Sequence, residues 1–478
     1  MIQGIKLTVL ACLLGIASCK GGGKNNDNPG PGEPKPVKSD VAFWLTNGDG
    51  SVLFKQQQTP LVFSGALNQY PVITVDDSKT YQEIDGFGYT LTGGSATLIN
   101  GLATDKKEAL LNELFRWDST FIGVSYLRIS IGASDLSAAP FSYNDLPAGQ
   151  TDPTLQHFSI DMEKTDLVPI LKKIIAINPS IKILGSPWSP PTWMKTNNNS
   201  KGGKLKPEYY SVYAQYFVKY VQAMKAEGIT IDAITIQNEP LHPGNNPSME
   251  MQAAEQADFI KNHLGPAFKA ANITTRIIIY DHNADRPDYP VTILNDPEAS
   301  KYVDGTAFHL YGGSITALTP LHNAYPDKHL YFTEQWVGGP GNFPADLSWH
   351  VSQLIIGATR NWCRNVLEWN LAATADYKPH TIGGCTSCLG AVTIGSDYTR
   401  NVAYYIIAHA SKFVRPGSVR IDSNIEAPLQ NVAFKTPDGK KVLIVLNSGT
   451  TAQSFNIKYN GKTVTPQLAA GAVGTFVW

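Results

Sequence analysis

The stretch PEYYSVYAQYFVKYVQAMKAEGITIDAITIQNEP, residues 207–240, carries a helix signal followed directly by a strand signal. Its apolar side chains recur at helical spacing between Pro207 and Gly228, and helices favour proline in their first turn and glycine just past their end. A short apolar run, Ala233–Gln237, comes next, and Glu239 lies two residues beyond it. The stretch therefore predicts a helix, then a buried strand, then a carboxylate just past the end of the strand.

The same alternation continues along most of the chain on both sides of this stretch. Ser248 is a candidate cap for the next helix, which we expect to end near Gly265 and Pro266. Alternating strands and helices form parallel sheets, and eight strand–helix units close into a barrel. The predicted fold class is α/β, a (β/α)8 TIM barrel, with strands at Glu83–Thr90, Val124–Ile131, Ile181–Ser186, Ala233–Gln237, Arg276–Tyr280, Gly305–His309, His329–Thr333 and Asn365–Trp369.

The two ends of the chain have the pattern of antiparallel strands instead. Short alternating runs fill residues 41–76 and 410–478, and turn sequences such as Pro437-Asp438-Gly439 separate them. We expect both ends to build one β-sandwich attached to the barrel. The predicted domains are a signal peptide over 1–18, a flexible linker over 19–40, N-terminal sandwich strands over 41–80, the barrel over 81–405 and C-terminal sandwich strands over 406–478.

The N-terminal segment has the layout of an export signal. Lys6 precedes an apolar run, Leu7–Ile16, which is shorter than the roughly 20 residues that a membrane-spanning helix needs. Ala17, Ser18 and Cys19 resemble a bacterial lipoprotein box, in which the cysteine is lipidated, and the Gly-, Asn-, Pro- and Lys-rich segment that follows cannot bury enough surface to fold. We expect a protein anchored through Cys19 at the outer membrane or cell surface of a Gram-negative bacterium, with a plain secretory peptide as the alternative.

The composition excludes one class of partner and leaves one question open. The formal net charge is -1, with 39 basic and 40 acidic residues, so the chain lacks the basic excess of a nucleic-acid-binding protein. Aromatic residues make up 10% of the chain. They fill large cores, and they also stack on the apolar faces of sugar rings. Composition alone does not separate these two uses.

Five cysteines are too few for a scaffold built from disulfides at this length. Cys12 and Cys19 fall in the N-terminal segment, and the other three lack partners at the ligand spacing of a structural zinc site. A short-range disulfide between Cys385 and Cys388 is the expected arrangement in an exported protein. Cys363 would then be a buried free thiol.

Several enzyme classes have no motif in this sequence. It contains no His-Glu-x-x-His, no Gly-x-Ser-x-Gly and no phosphate-binding P-loop. Gly86-Phe87-Gly88 follows a strand signal, but the third glycine of a dinucleotide-binding fingerprint is missing. These absences disfavour a metallohydrolase, a serine hydrolase of the α/β class and a nucleotide-dependent enzyme.

Two glutamates follow predicted barrel strands at the end where the active sites of barrels form. Glu239 comes after the fourth strand and Glu334 after the seventh. Glycoside hydrolysis needs two such carboxyl groups flanking the scissile bond. A single glutamate in this position is more simply a salt-bridging loop residue, so the hypothesis depends on the pair.

Aromatic and polar side chains surround this pair on the same predicted face. The proline-rich loop Ser186–Lys195 presents Trp188 and Trp193 after the third strand, while His309 and Tyr311 end the sixth. Each one alone is more simply explained by packing or a structural hydrogen bond, whereas the ring that they form together is typical of a sugar-binding cleft. The other candidates for this cleft are Arg128, Asp135, Asn238, Trp336 and Trp369.

Four segments resemble the motifs of glycoside hydrolase family 30, which includes glucosylceramidase and endo-β-1,6-glucanases. They are Gln82–Gly88, Ser186–Lys195, Thr235–Pro240 and Ser411–Gly417, and the resemblance extends from about Val41 to the C-terminus. It implies a retaining mechanism without a metal or organic cofactor, in which Glu239 is the acid/base and Glu334 the nucleophile. It also implies a sugar-holding set that consists of Asp135, Trp188, Asn238 and Trp369, with Arg128, His309 and Tyr311 beside it.

The chain departs from the family pattern at Gly88–Gly93, where the family often has Gly-Gly-Ala-Phe-Thr-Asp near the floor of the cleft. The segment Gly383–Gly390 resembles the β-1,6-glucanase branch more than the ceramidase branch. We therefore expect a monomeric endo-β-1,6-glucanase acting on β-linked glucan. Glucosylceramidase, β-xylosidase or xylanase activity are alternatives, as is a non-catalytic surface glycan-binding lipoprotein, and the choice between endo and exo cleavage stays open.

The retaining mechanism makes further predictions about the glutamate pair. The two carboxyl groups should lie about 5–5.5 Å apart. Glu239 should have the higher pKa of the two, because the charge of Glu334 disfavours its ionisation. Arg128 is expected to keep Glu334 ionised, and Asn238 is expected to bind the sugar 2-hydroxyl.

Overall fold

Eight parallel strands close into a barrel in the computed structural model, which describes residues 38–66 and 68–478. All eight predicted strands are present, so the predicted fold class is confirmed. The first begins later than predicted because Glu83 belongs to a preceding sandwich strand, Val72–Ile84. The barrel strands are Gly86–Thr90, Tyr126–Ser130, Lys182–Ser186, Ala233–Thr235, Arg276–Ala284, Val303–Gly313, His329–Glu334 and Cys363–Asn370.

Helices connect the strands and cover the outside of the barrel. The predicted helix after Pro207 is present, as a 3-10 turn at Pro207–Tyr209 that continues into Tyr210–Ala226. The other α-helices are Gly93–Gly101, Thr104–Phe115, Leu167–Ile177, Ala253–Phe259, Gly265–Ala270, Asp288–Leu294, Pro297–Ser300, Leu318–Ala324, Phe343–His350 and Val402–Ser411. Further 3-10 turns lie at Asp161–Lys164, Thr192–Met194 and Ile315–Ala317, and π-helical turns at Ile260–Leu264 and Val351–Ala358.

The helix after the fourth strand differs from its prediction at both ends. Gln252 caps it, in a reciprocal capping box with Glu255, so Ser248 lies outside the helix. The chain also stays helical through Gly265 and Pro266 as far as Ala270. The π-helical turn just before them shifts the hydrogen-bond pattern, which explains why the missing N–H of the proline does not end the helix here.

Strand periodicity places two layers of side chains inside the barrel. The lower layer is apolar and contains one residue from each of seven strands: Tyr126, Leu184, Ala233, Ile278, Ala307, Tyr331 and Leu367. Side chains two residues further along a strand point the same way. The upper layer is therefore Arg128, Ser186, Thr235, His309, Thr333 and Trp369, which are all buried. The upper layer, which is mostly polar, forms the floor of a site and lies directly on the apolar lower layer. We call this upper layer the polar floor.

A nine-stranded sheet from both ends of the chain packs beside the barrel. The strand Ala42–Thr46 pairs antiparallel with the last strand, Val473–Val477, so the termini of the folded part meet in one sheet. Val442 and Ile444 face the barrel cluster, whereas Leu443 and Val445 face a separate sandwich core. The remaining strands outside the barrel are Lys55–Gln56, Val337–Gly338, Ala372–Ala373, Cys388–Leu389, Val392–Ile394, Tyr398–Arg400, Ser418–Ser423, Leu429–Lys435, Lys441–Asn447, Gln453–Ser454, Asn456–Tyr459, Lys462–Val464 and Gln467–Leu468.

Two domain predictions need comment. The predicted boundary at 405–406 falls inside the helix Val402–Ser411, so the barrel extends further than predicted. The predicted signal peptide, the lipidation site Cys19 and most of the linker lie outside the described residues. Within the described part of the chain, no helix has the length and apolar character needed to cross a membrane.

Candidate active site

A buried charged cluster lies at the centre of the polar floor. Arg128 is fully buried and donates to Glu334 Oε2 at 2.6 Å, to Asn238 Oδ1 at 2.7 Å and to Asp281 Oδ2 at 2.8 Å. The hydroxyl groups of Ser186, Thr235 and Thr333 donate to Asp281 as well. Although burial opposes its ionisation, Arg128 and His309 hold the pKa of Asp281 well below its usual range. Asp281 therefore acts as the fixed negative charge that anchors Arg128.

Asp281 reaches this position because the fifth strand is irregular. Tyr280 and Asp281 have positive φ values of 74° and 64°, and the pairing with the sixth strand shifts between Tyr280 and His282. Such a bulge re-aims the side chains that follow it. Asp281 rather than Tyr280 consequently joins the polar floor.

The two glutamates lie at the mouth of the barrel, directly above this cluster. Glu239 has a φ of 45°, in the left-handed region, and its N–H donates to the Asp281 carbonyl at 3.0 Å. Glu334 accepts from Arg128 through Oε2 and from the Tyr311 hydroxyl through Oε1, at 3.0 Å. One carboxylate oxygen of each glutamate and one ring nitrogen of His309 lie within 4.8 Å of one another.

His309 connects the two glutamates electrostatically. Its Nδ1 is 3.1 Å from Glu239 Oε1, and its Nε2 is 3.1 Å from Asp281 Oδ1. Burial disfavours the charged ring, but the charges of Glu334, Asp281 and Glu239 raise the pKa of His309 to about 9. The ring is therefore an imidazolium near neutral pH, lying against Glu239.

This imidazolium reverses the predicted order of the glutamate pKa values. Burial raises the pKa of Glu334 to about 7, against the lowering effect of His309 and Arg128. Burial acts on Glu239 too, but the hydrogen bond and charge of His309 bring the pKa of Glu239 below its usual range. This order is opposite to the predicted one, because burial outweighs the effect of Arg128 and His309 at Glu334, whereas the hydrogen bond and charge of His309 outweigh burial at Glu239.

The glutamates form the floor of a cavity of about 390 Å³. The indole rings of Trp188 and Trp369 are 5.4 Å apart between centroids, and the Arg128 guanidinium lies 4.7 Å from the Trp188 ring. Burial raises the pKa of Asp135, on the same side of the cavity, to about 6. The cavity is lined by Asp135, Trp188, Asn238, Glu239, His242, Asn245, His282, Asn283, Tyr311, Glu334, Trp336, Trp369, Cys385 and Cys388.

Most of the residues predicted for the cleft line this cavity, and three do not. Arg128 and His309 were grouped with substrate-binding residues, but both are completely buried beneath the glutamates and act on the carboxylates instead. Trp193 is a core residue, since its Nε1 donates to the Asn144 carbonyl at 3.0 Å and its ring packs edge-on against Tyr209. The pairing of Cys385 with Cys388 and the burial of Cys363 are as expected.

Five residues of the cavity or of the charged cluster beneath it were not predicted from the sequence: His242, Asn245, Asp281, His282 and Asn283. Asp281 carried a usable signal, because it directly follows the predicted fifth strand, as Glu239 and Glu334 follow theirs. His282 and Asn283 were missed because the strand was predicted to end at Tyr280, whereas it continues to Ala284.

Glu239, His309 and Glu334 also have the mutual spacing of a metal-binding triad. Their ligand atoms are already engaged, however. Arg128 and Tyr311 donate to Glu334, and His309 bonds to Glu239 and Asp281. A cation in this position would also face the Arg128 guanidinium, so the donor set fits a proton-transfer site better than a metal centre.

The order of domains and the paired glutamates match a known family. The model of the glycosyl hydrolase family 30 TIM-barrel domain matches residues 84–414, and that of the family's β-sandwich domain matches residues 417–476. The chain belongs to glycoside hydrolase family 30. It is therefore a glycoside hydrolase, and the resemblance drawn from its motifs is confirmed.

Named relatives of this family 30 chain are similar to it over most of its length. The endo-1,6-β-D-glucanase neg1 of Aspergillus fumigatus is 38% identical over 408 residues, which are 79% of this chain and 81% of that protein. Putative glucosylceramidase 1 of Caenorhabditis elegans is 30% identical over 406 residues, 79% of this chain and 76% of that protein. The solved structure of the endo-β1,6-glucanase BT3312 is 36% identical with a TM-score of 0.86, covering 92% of this chain and 99% of that one.

Proposed function

We propose that this family 30 enzyme hydrolyses β-1,6-glucan within the chain, with retention at the anomeric carbon. The main support for this proposal is the pair of glutamates at the floor of an aromatic cavity. A carboxylate oxygen of Glu239 and one of Glu334 lie within 4.8 Å of each other. Inverting enzymes keep their carboxyl groups about 6.5–9.5 Å apart to admit a water. The similarity to two proteins named endo-1,6-glucanases, at 38% and 36% identity, supports the linkage.

The proposed reaction has two displacements. Glu334 attacks the anomeric carbon while Glu239 donates a proton to the departing oxygen, and a glycosyl–Glu334 ester forms. Water then attacks the same carbon while Glu239 takes its proton, and the bond from the carbon to Glu334 breaks, which releases Glu334 as a carboxylate. Arg128 and Tyr311 each hold one oxygen of Glu334, which fixes the direction of attack.

Barrel topology supports the orientation of the sugar chain. The strands run round the ring in the order seven, eight, one, two, three, four, five, six, so the glutamates on strands four and seven divide it into two arcs. Trp369 lies near the end of strand eight, and Asp135 and Trp188 follow strands two and three. In the proposal, this arc holds the sugar whose bond is cleaved. Asn238 belongs to the same arc. Because Arg128 donates to the amide oxygen of Asn238, the N–H groups of that amide can donate to a hydroxyl of the sugar.

The other arc would receive the departing part of the substrate. The cavity residues there include His282 and Asn283 on strand five and Tyr311 on strand six. Burial lowers the pKa of His282 to about 4, so this wall is polar and uncharged near neutral pH. Such a wall suits sugar hydroxyl groups better than the acyl chains of a ceramide. Among the described residues that line the cavity, none is a lysine or arginine that would bind a glucuronate.

The decisive experiment is hydrolysis of a purified β-1,6-glucan by the wild-type chain, with Glu334→Gln as matched control. We expect new reducing ends and a mixture of oligosaccharides at early times, because internal bonds are cut.

Several other outcomes would contradict parts of this proposal. Glucose as the sole early product would mean that the enzyme cleaves from the chain end (exo) rather than within the chain (endo). Activity on glucosylceramide or xylan but not on this glucan would overturn the substrate, and binding without hydrolysis by the wild type would indicate a glycan-binding protein. Near-normal turnover by Glu334→Gln would overturn the nucleophile.

We further propose that the enzyme is a monomer tethered to the bacterial outer membrane through Cys19. The support is the sequence alone: the apolar run Leu7–Ile16, the small residues before Cys19, and the polar segment after it. Membrane fractionation of cells that express the full chain tests the anchor. The wild type should stay with the membranes and Cys19→Ser should not, and equal release of both would contradict lipidation.

Size-exclusion chromatography of residues 38–478 tests whether the enzyme is a monomer in solution.

A further inference from the structure

One wall of the cavity is a short loop closed on itself by a disulfide. Residues 381–389, here named the clasp, contain Cys385 and Cys388, and both cysteines line the cavity. The disulfide belongs to the same apolar cluster as Trp188 and Trp369. It therefore abuts the aromatic surface on which the proposed function places the sugar.

The clasp makes three close approaches to Asp135. The Cys385 N–H donates to Asp135 Oδ2 at 3.2 Å, and the Thr381 N–H donates to the main-chain carbonyl of Asp135 at 2.8 Å. A Cβ on Gly384 would lie 2.5 Å from that same carbonyl, so only glycine allows this approach. Asp135 Oδ1 is buried and accepts no hydrogen bond from the described residues. The clasp thus holds one oxygen of the carboxylate, and Asn245 lies beside the same carboxylate in the wall of the cavity.

Neighbouring loops hold the two ends of the clasp, and the turn between them contacts Asp135 through the Cys385 N–H. Cys388 pairs with Gly338, just beyond the seventh barrel strand. Asn246, beyond the fourth strand, donates to the Ile382 carbonyl at 2.8 Å. Between these anchors the turn at Cys385 and Thr386 is at the surface, and the disulfide is the covalent tie across it.

We propose that the disulfide between Cys385 and Cys388 is a positioning device for substrate binding. It fixes the turn so that the Cys385 N–H holds one oxygen of Asp135 and the other oxygen points to a sugar hydroxyl. The proposal rests on the proposed function, because it takes Asp135 as a sugar-binding residue. A hydroxyl group of this sugar that does not border the anomeric carbon is held equally in substrate and transition state. Loss of a contact with such a hydroxyl raises KM and leaves kcat nearly unchanged.

The test compares the double variant Cys385→Ser/Cys388→Ser with Thr386→Ala, a change in the same turn that keeps the disulfide. On the β-glucan oligosaccharide that the wild type cleaves, we expect KM to rise at least fivefold in the double variant, with kcat within twofold. Thr386→Ala should match the wild type. A phosphine reductant should raise KM of the wild type and leave the double variant unaffected. An unchanged KM, or an equal loss in kcat, would overturn the proposal.

A double-mutant cycle separates positioning from a general structural effect. In an Asp135→Asn background the cysteine substitutions should raise KM no further, whereas additive effects would show that the clasp acts elsewhere. If the wild type cleaves another β-glucosidic linkage instead, the proposed substrate is wrong, but the clasp can still be tested by running the same cycle on an oligosaccharide with that linkage. If the double variant does not fold, calorimetric titration of Glu334→Gln with the oligosaccharide, before and after reduction, makes the same comparison. Equal affinity of the two forms would contradict the clasp.

Discussion

At the scale of single residues, His309 sets the protonation state of the site. It lies 3.1 Å from Glu239 and bonds to Asp281 on its other side, so one proton can be held by either His309 or Glu239. An active site needs that one proton, together with an ionised Glu334. A second proton goes to Glu334 and blocks attack, and loss of the first leaves no acid.

A pH prediction follows for kcat/KM. Since the pKa of Glu334 is about 7 and that of His309 about 9, activity should rise with pH through about 7 and fall again through about 9. His309→Gln removes the imidazolium, so the alkaline limb should move to lower pH as Glu239 alone holds the proton. A pH series of initial rates checks this. An alkaline limb that stays in place in the variant would contradict the shared proton.

At the scale of elements, the first and second barrel strands approach each other closely at Gly88, which has no side chain. A Cβ on Gly88 would lie 1.9 Å from the Tyr126 carbonyl oxygen, on the neighbouring strand. The pair Gly88 and Tyr126 is in register, so the clash cannot be relieved by rotating a side chain. Glycine at this position therefore has a steric reason.

Gly88→Ala should therefore destabilise the fold by more than about 3 kcal/mol, measured by denaturant unfolding. Gly101→Ala is the matched control, because a Cβ on Gly101 meets no atom within 4 Å at the end of a helix. Its free energy of unfolding should stay within about 1 kcal/mol of the wild type. Equal stability of the two variants would mean that the strands separate easily at Gly88.

At the scale of the molecule, the barrel and the sandwich share a buried histidine. His409 is on the last barrel-side helix, and its ring nitrogens bond to the hydroxyl groups of Thr475 at 2.9 Å and Thr46 at 2.8 Å. These threonines belong to the two sandwich strands formed by opposite ends of the chain. Burial lowers the pKa of His409 to about 3, so the interface contains a neutral ring.

This pKa predicts acid sensitivity. Below pH 6.5 the unfolded chain takes up a proton at His409 that the folded chain refuses down to about 3, so stability falls as the pH decreases through that window. The slope is at most about 1.4 kcal/mol per pH unit from one such group. His409→Gln should show a shallower loss between pH 6.5 and 4.5 in denaturant unfolding. A His409→Gln variant that keeps the wild-type slope would contradict the assignment.

The sequence by itself determined the features that depend on local periodicity. Short apolar runs between amphipathic segments predicted the barrel strands. The position just past a strand end predicted Glu239 and Glu334, because parallel strands present their carboxyl ends on one face of the barrel. Asp281, the buried partner of Arg128, was within reach of the same rule, since it directly follows the predicted fifth strand. Its position depends on the bulge at Tyr280, because a bulge changes which side chains of a strand face the interior of the barrel.

Only the tertiary structure decided the features that depend on which distant residues meet. Trp193 and Trp188 stand in one loop, yet the first packs in the core and the second lines the cavity. The pKa order of the glutamates reversed because barrel closure puts His309 against Glu239. The contact of the clasp with Asp135 spans 250 residues of sequence. Local sequence patterns determine at which end of a strand a side chain lies. The protonation state and the contacts of that side chain are determined by the closure of the barrel, which brings distant residues together.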